Sequence, residues 1–441
     1  MKKAVVLLVA LAALVSGCSP GRNRGTVGTG SASVLINIGD AVNDQILIFQ
    51  LPITAATLNG GSNPSLLASA AQLEFVENSA SFQPFSLNTI PAGTYTGITL
   101  TIGTPVIFTI DPTTKALTQL TVAAASTTVN VPFNPAVAVS TTPLVINLDL
   151  DLANSVTITG TAATVTPAFL ATTSPVAPAA SQDDTSGEID NARGKVTAVT
   201  TTGFTLQPPG AGRPLTFAVN AATVFKDGIT NLSQLIQGMI VTVEGISQAD
   251  GSLLARTVES ETETATGQVL EGVAVSTAGA PATSMNFTTQ SVIASNSATA
   301  PVAGNSVAVS ITTSTRFSVE SSRISGVLPA FDASTLGPGQ QVIVDSETQP
   351  ATSTSAPADK VKLQEQVLFG TITGLSGGNF TLSVSTTSTF FSQTGAALVP
   401  VQTTAATQLR VPLANNAVVR VRGLLFFNAG SYSMIASRIT P

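Results

Sequence analysis

From Ser33 to Leu152 apolar and polar residues alternate in short runs: SVLINI, QILIFQL, TGITLTIG, PVIFTI, TTVNVPF and PLVINLDLDL. Period-two alternation puts one set of side chains on a core and the other in solvent, which is the pattern of a half-buried strand. Val, Ile and Thr fill these runs, and Gly, Pro, Asn and Asp separate them. Helical periodicity is almost absent. The clearest exception is TNLSQLIQG, where Asn231 is placed as the N-cap of one helical turn. The pattern predicts an all-β protein.

Beyond a Pro/Ala/Ser-rich and then acidic stretch at 171–192, expected as a linker, one strand pattern recurs. Its first copy runs over 193–262, with GKVTAV, GFTLQ, LTFAV, QGMIVTVEG and DGSLLARTVES. A third copy covers 367–441, with GTITGL, GNFTLSV, NAVVRVRG and GSYSMIASRIT. Between them, 266–364 holds a looser copy with insertions, in which Asp345 stands where the other two have a closing glycine (Gly245, Gly423). Alternating residues such as Val241/Val243 and Val419/Val421 share one face. Closing so few strands into a small barrel removes the unpaired edges that invite aggregation. Three tandem barrels are therefore expected after an N-terminal β-sandwich at 33–165.

The N-terminus is different. Lys2 and Lys3 precede an uninterrupted apolar run, Ala4 to Val15, too short to span a bilayer and suited to a secretory leader. It ends in Val15-Ser16-Gly17-Cys18, which resembles the lipobox of bacterial lipoproteins. That resemblance implies a signal peptide at 1–17, cleavage before Cys18, and acylation (palmitate among the chains) of its sulfur and new amino group. Several chains hold a protein on a membrane durably, where one does not. Ser19, rather than an aspartate, favours the outer membrane, and 18–32 is Gly-rich enough to serve as a flexible tether.

Composition narrows the chemistry. Cys18 is the sole cysteine, so no structural disulfide is available. The chain has no histidine, which removes the usual general base, the commonest zinc ligand and the Ser-His-Asp triad. No enzymatic activity and no cofactor are expected, although carboxylate pairs and oxygen-only calcium sites remain chemically open. Only five lysines follow the leader and the net charge is −6, which excludes a basic nucleic-acid groove.

A few constellations stand out in so charge-poor a chain. Asn147, Asp149 and Asp151 alternate with leucines, so their oxygens share one strand face. The favoured reading is the solvent face of a half-buried strand; the other is a calcium site, with Asp40 as a further ligand if the fold brings it close. Asp183 to Asp190 lacks the spacing of an acidic calcium loop and reads as solvated linker. Glu259, Glu261 and Glu263 read as a polar strand end between two barrels. Arg420 and Arg422 share a strand face, where edge protection is expected. GTVGTG at Gly25 has no strand before it and reads as tether, not as a dinucleotide loop.

The repeated unit resembles the bacterial family known as domain of unknown function 5666. The matching features are the Gly-x-Val/Ile opening strand, Phe-x-Leu, Thr-x-Phe, Gly-x-x-Val-x-Val-x-Gly and the Asp-Gly-x-Leu-x-Ala hairpin. The resemblance implies oligonucleotide-binding-like barrels. Residues 33 to about 160 resemble domain of unknown function 4382 through VLINIGDAVND, IPAGTYTGITLTIG and LVINLDLDLANSVTI. The turn Pro91 to Tyr95 is also seen in transthyretin-like sandwiches. Neither family carries an assigned activity. The expected role is structural or recognition, at the outer membrane, facing the periplasm or the outside, with envelope polysaccharide or protein as partner. The alternatives are a carboxylate-dependent glycan hydrolase and a calcium-dependent adhesin.

Overall fold

In the computed structural model, residues 30–441 are described apart from 42, 77–80, 125–126, 295–299 and 321–323. Cys18, the leader and most of the tether lie outside the described residues. The alternating runs are strands, and the described residues are almost entirely β.

Two large sheets and a small three-stranded one (Val156–Thr159, Ala162–Val165 and Thr121–Ala124) make the N-terminal unit. In one, Ser31–Ala41 lies between Leu144–Asp151, to which it is parallel, and Phe82–Pro91, with Phe169–Pro175 beyond. In the other, Ile48–Asn59 lies between Gly93–Ile102 and Val106–Ile110, with Thr128–Val139 at one edge. Period two then sorts the side chains. Val34, Ile36, Leu148 and Leu150 meet Phe49, Leu51 and Leu100 in one core. Phe75 sits edge-on to both Phe49 and Phe169 at centroid distances of 6.0 and 6.3 Å. Tyr95, just after the Pro91–Gly93 turn, is buried and its hydroxyl donates to the Pro91 carbonyl at 2.9 Å. Leu35 points the opposite way and packs into the next unit's core with Ile189 and Phe204.

That next unit is a closed five-stranded barrel. Glu188–Val199 pairs with Gly203–Gln207 and Ile240–Ser247, and the ring closes where Leu215–Ala218 runs parallel to Leu253–Ser260. The last unit is a second closed barrel: Glu365–Ser376, Asn379–Val384, Leu398–Leu409, Ser431–Thr440 and Val418–Asn428. Between them, Gln268 to Leu363 forms a seven-stranded sheet in the same order, but its last strand is broken into Ser355–Pro357 and Lys360–Leu363.

The closing glycines explain the difference. Gly245 and Gly423 each sit at a β-bulge against the final strand. A Cβ on Gly423 would lie 2.1 Å from the Ile435 carbonyl oxygen, and on Gly245 2.7 Å from that of Leu254. The bulge increases local twist and lets the final strand curl across to close the ring. By register the equivalent position in the middle unit is Ser346, not Asp345, since Val342 stands opposite Gly272 as Val241 does opposite Gly194; the pairing of this strand with Lys360–Leu363 is regular, and the final strand breaks just before Lys360 instead.

The stretch 171–192 is less a linker than a joint. Phe169–Pro175 completes the first sheet, and Glu188–Val199 opens the barrel. The turn between them is tied down on both sides. Asp184 accepts from Arg438 Nη1 at 2.6 Å, Asp183 from Arg410 Nη2 at 2.8 Å, and the Asp184 carbonyl accepts from Asn37 at 3.1 Å. Asn231 caps the short 3-10 turn Leu232–Gln234, accepting from the Ser233 N–H at 3.0 Å. No helix among the described residues is long and apolar enough to cross a membrane.

Candidate functional site

Where the four units meet, a cavity of about 660 Å³ opens. The N-terminal unit contributes Ile38, Glu74 and Gln83; the first barrel Asn191, Arg193 and Gln207; the middle sheet Glu271 and Glu320. Gln364, Glu365 and Arg422 come from the entry and fourth strand of the last barrel. Its volume lies in the range of small-molecule sites. Its lining mixes polar and apolar groups and holds six charged side chains, a high share in a chain that is only 10% charged.

Charges in and behind this lining are paired, several of them across units. Arg193 pairs with Glu271 through Nη1, and its Nε donates to Thr242 Oγ1 at 3.0 Å. Arg422 Nε donates to Glu365 Oε2 at 2.9 Å, both side chains being buried. Glu74 accepts the Phe49 N–H at 3.0 Å. Behind Arg193, Glu261 accepts from Lys362 Nζ at 2.9 Å and from Thr242 Oγ1 at 2.6 Å, with Lys360 Nζ at 3.7 Å. Lys362 also pairs with Glu259. Burial alone would push the Glu261 carboxyl up, but Lys362, Arg193 and Lys360 outweigh it and hold the group well below the carboxylate range.

Glu320 is different. Burial pushes its carboxyl up to about 7, with Arg193 opposing and Glu365 adding to the shift. Its one described polar partner is the Glu365 N–H, at 3.4 Å. On two lining residues, the sealed atoms Asn191 Nδ2 and Gln364 Oε1 have no hydrogen-bond partner among the described residues. Asn191 sits at φ +47° in the bulge between Ile189 and Ala192. Buried polar atoms normally find partners, and strained residues concentrate at functional sites.

The residues singled out in the sequence are placed as follows. Asn147 is buried, not solvent-facing: it accepts from Asn37 at 3.0 Å and donates to the Thr185 carbonyl at 2.9 Å, which ties the joint to the sheet. Asp151 caps the short helix Leu152–Ser155, accepting from the Asn154 N–H at 3.1 Å. Burial and then Asp151 push the Asp149 carboxyl up. Asp40 stands opposite Leu150 in the parallel register. Among the described residues no three acidic side chains are placed to hold a metal ion. Glu259, Glu261 and Glu263 do lie between two units, but the first two are drawn into the buried network and Glu263 pairs with Arg316 at the surface. Arg422 does not protect an edge; its strand is central and its guanidinium is buried at the junction. Arg420, one period away, lies over the Phe369 ring at 5.8 Å.

The fold and cavity together define an all-β protein of several modules, two of them closed barrels, built around a shared polar junction. Within it, residues 193–259 match the family described as domain of unknown function (DUF5666). The match spans most of the first barrel, from Arg193 at the cavity to Glu259 in the ion network. No curated protein matches the chain.

Proposed function

We propose that the protein is a lipid-anchored component of the bacterial cell envelope, at the outer membrane, that recognises a polar ligand through the junction cavity. The leader and Val15-Ser16-Gly17-Cys18 support the anchor, and Ser19 supports the outer membrane. The N-terminal unit reads as a transthyretin-like sandwich of the domain of unknown function 4382 type. The middle sheet reads as a third, opened copy of the barrel. The role is recognition rather than catalysis, with envelope polysaccharide or protein as the source of the ligand, and with no cofactor and no nucleic acid. One observation carries this reading: four units contribute buried polar side chains to one cavity, some of them unpaired. Structural cohesion alone would be better served by apolar contact, because buried ion pairs contribute little net stability.

Two experiments test it. Mass spectrometry of the protein from its native host reads the N-terminal peptide; diacylated and N-acylated Cys18 is expected, and a free thiol rejects the anchor. Thermal shift of the purified protein against fractionated envelope polysaccharide and protein reads recognition. A specific stabilisation lost in Arg422→Gln supports the cavity.

A second reading, a carboxylate-dependent glycan hydrolase, is favoured by Glu320 alone, whose carboxyl at about 7 suits a general acid. Release of reducing ends from envelope glycans, abolished by Glu320→Gln, would establish it.

A further inference from the structure

We propose that the junction cavity takes a small molecule presenting a primary ammonium group, with the Glu320 carboxylate as its counter-ion. This rests on reading the cavity as the recognition site, and it names the chemistry which that site accepts.

The lining is acidic. Glu74, Glu271, Glu320 and Glu365 are set against only Arg193 and Arg422. Both guanidiniums are already shared between carboxylates. Arg193 pairs with Glu271 and has Glu261 at 3.6 Å; Arg422 pairs with Glu365, and Asp190 is a second acidic neighbour. The cations behind the lining do not redress the balance, because Lys360 and Lys362 are taken up by Asp227, Glu259 and Glu261. An anion entering the cavity would meet a surplus of carboxyls and no guanidinium free to receive it. A cation is what the surplus attracts.

Glu320 gives that cation its place. The residue is 6% exposed and lines the cavity. Among the described residues its carboxyl makes no ion pair and one long hydrogen bond, Oε2 accepting the Glu365 N–H at 3.4 Å. Oε1 has no partner there and is not sealed from the cavity. Arg193 of the first barrel, Lys362 of the middle sheet and Arg422 of the last barrel draw on its charge, and Glu365 opposes them. Glu271 and, from the N-terminal unit, Glu74 stand in the same lining. Burial prevails and holds the Glu320 carboxyl up at about 7. A buried carboxyl without a counter-ion takes a proton instead; an ammonium against Oε1 supplies the counter-ion and the missing donor.

The walls decide what kind of cation fits. No aromatic ring lines the cavity, so a quaternary ammonium lacks the π faces that recognise it. Among the described residues no three acidic side chains are placed to hold a metal ion. A primary ammonium needs neither. Its carbon skeleton finds apolar surface on Pro84, Pro208, Pro209, Ile38 and Leu73.

Isothermal titration of the full-length protein in detergent tests the proposal with probes matched in skeleton. Pentylamine is compared with pentanol, pentanoate and pentyltrimethylammonium, and glucamine with sorbitol and gluconate. At pH 7 at least one of the two amines is expected to bind about ten-fold or more tightly than its neutral, anionic and quaternary relatives. Both amines remain protonated from pH 6 to pH 8. The affinity of the amine is nevertheless expected to fall about ten-fold from pH 8 to pH 6, because the ammonium must expel the proton that Glu320 takes up. Glu320→Gln, of the same size and without the charge, is expected to weaken the amine about ten-fold or more and to remove the pH dependence. Glu320→Asp is expected to keep part of both. The pH profile is read on the unmodified protein, so it decides the point even where Glu320→Gln does not fold.

Tighter binding of a neutral, anionic or quaternary member would overturn the ligand class. Amine binding unaltered in Glu320→Gln, or independent of pH in the unmodified protein, would overturn Glu320 as the counter-ion. If no panel member binds while envelope fractions still stabilise the protein, the ligand class fails and recognition stands. If neither binds, both fall.

Discussion

Lys362→Met is the most informative single perturbation of the junction. Lys362 belongs to the middle sheet and Glu261 follows the last strand of the first barrel, yet their side chains are each 1% exposed and 2.9 Å apart. Methionine fills a similar volume without the charge, so cavity formation is minor. What remains is Glu261, buried with Thr242 at 2.6 Å and with Arg193 and Lys360 no closer than 3.6 and 3.7 Å. Removing one partner of a buried pair costs about 3–5 kcal/mol. The remaining cations place the expected loss near the lower end, about 3 kcal/mol. Urea unfolding followed by far-UV circular dichroism measures it, since the chain has no tryptophan. The double variant Glu261→Met/Lys362→Met is expected to regain more than half of the loss, because it leaves no stranded charge. The pH dependence has a definite sign. Glu261 has a depressed carboxyl, so its stabilisation is full above the ordinary carboxylate range and lost as pH falls through its folded value. In Lys362→Met part of that stabilisation is already gone, so the deficit narrows only as pH falls below about 4.5. A loss under about 1 kcal/mol at pH 7, unchanged at about pH 3, would mean a solvent-screened pair and would refute the reasoning.

Other outcomes follow from particular residues. Glu320 is raised from 4.5 to about 7, so its contribution is full below about 4.5 and declines as pH rises to about 7, by about 3 kcal/mol; Glu320→Gln is expected to flatten the melting temperature between pH 5 and 8. Gly423→Ala forces a Cβ to 2.1 Å from the Ile435 oxygen and is expected to cost about 2–3 kcal/mol, read as a lowered melt of the last barrel. Excess chelator is expected to leave the melting temperature unchanged, because Asn147 and Asp151 spend their oxygens on protein donors; a clear drop would revive a calcium site.

Much of the fold was legible because period two is a local property. The strands, the turn capped by Asn231 and the missing closing glycine of the middle unit all follow from neighbours in sequence. Even the failure of the middle unit to close was signalled, since the glycine that allows a bulge is absent there. The junction was hidden for the opposite reason. Asn191, Glu271, Glu320, Gln364 and Arg422 are ordinary residues in five separate segments, and only tertiary packing brings them together. A weak signal existed: Glu259/Glu261 and Lys360/Lys362 alternate with opposite charge in a chain that is only 10% charged. Two period-two charge ladders of opposite sign suit a strand-to-strand clamp. The acidic joint at 183–190 misled because its composition is that of a solvated linker, while its partners, Arg410 and Arg438, lie more than 200 positions away.

The most direct test of the junction as a binding site is hydrogen–deuterium exchange of the full-length protein with and without the envelope fraction that stabilises it. Slowed exchange is expected together in segments around Gln83, Asn191–Arg193, Glu271, Gln364–Glu365 and Arg422, one or more from each of the four units. Protection confined to a single unit, or to surfaces away from these residues, would contradict it.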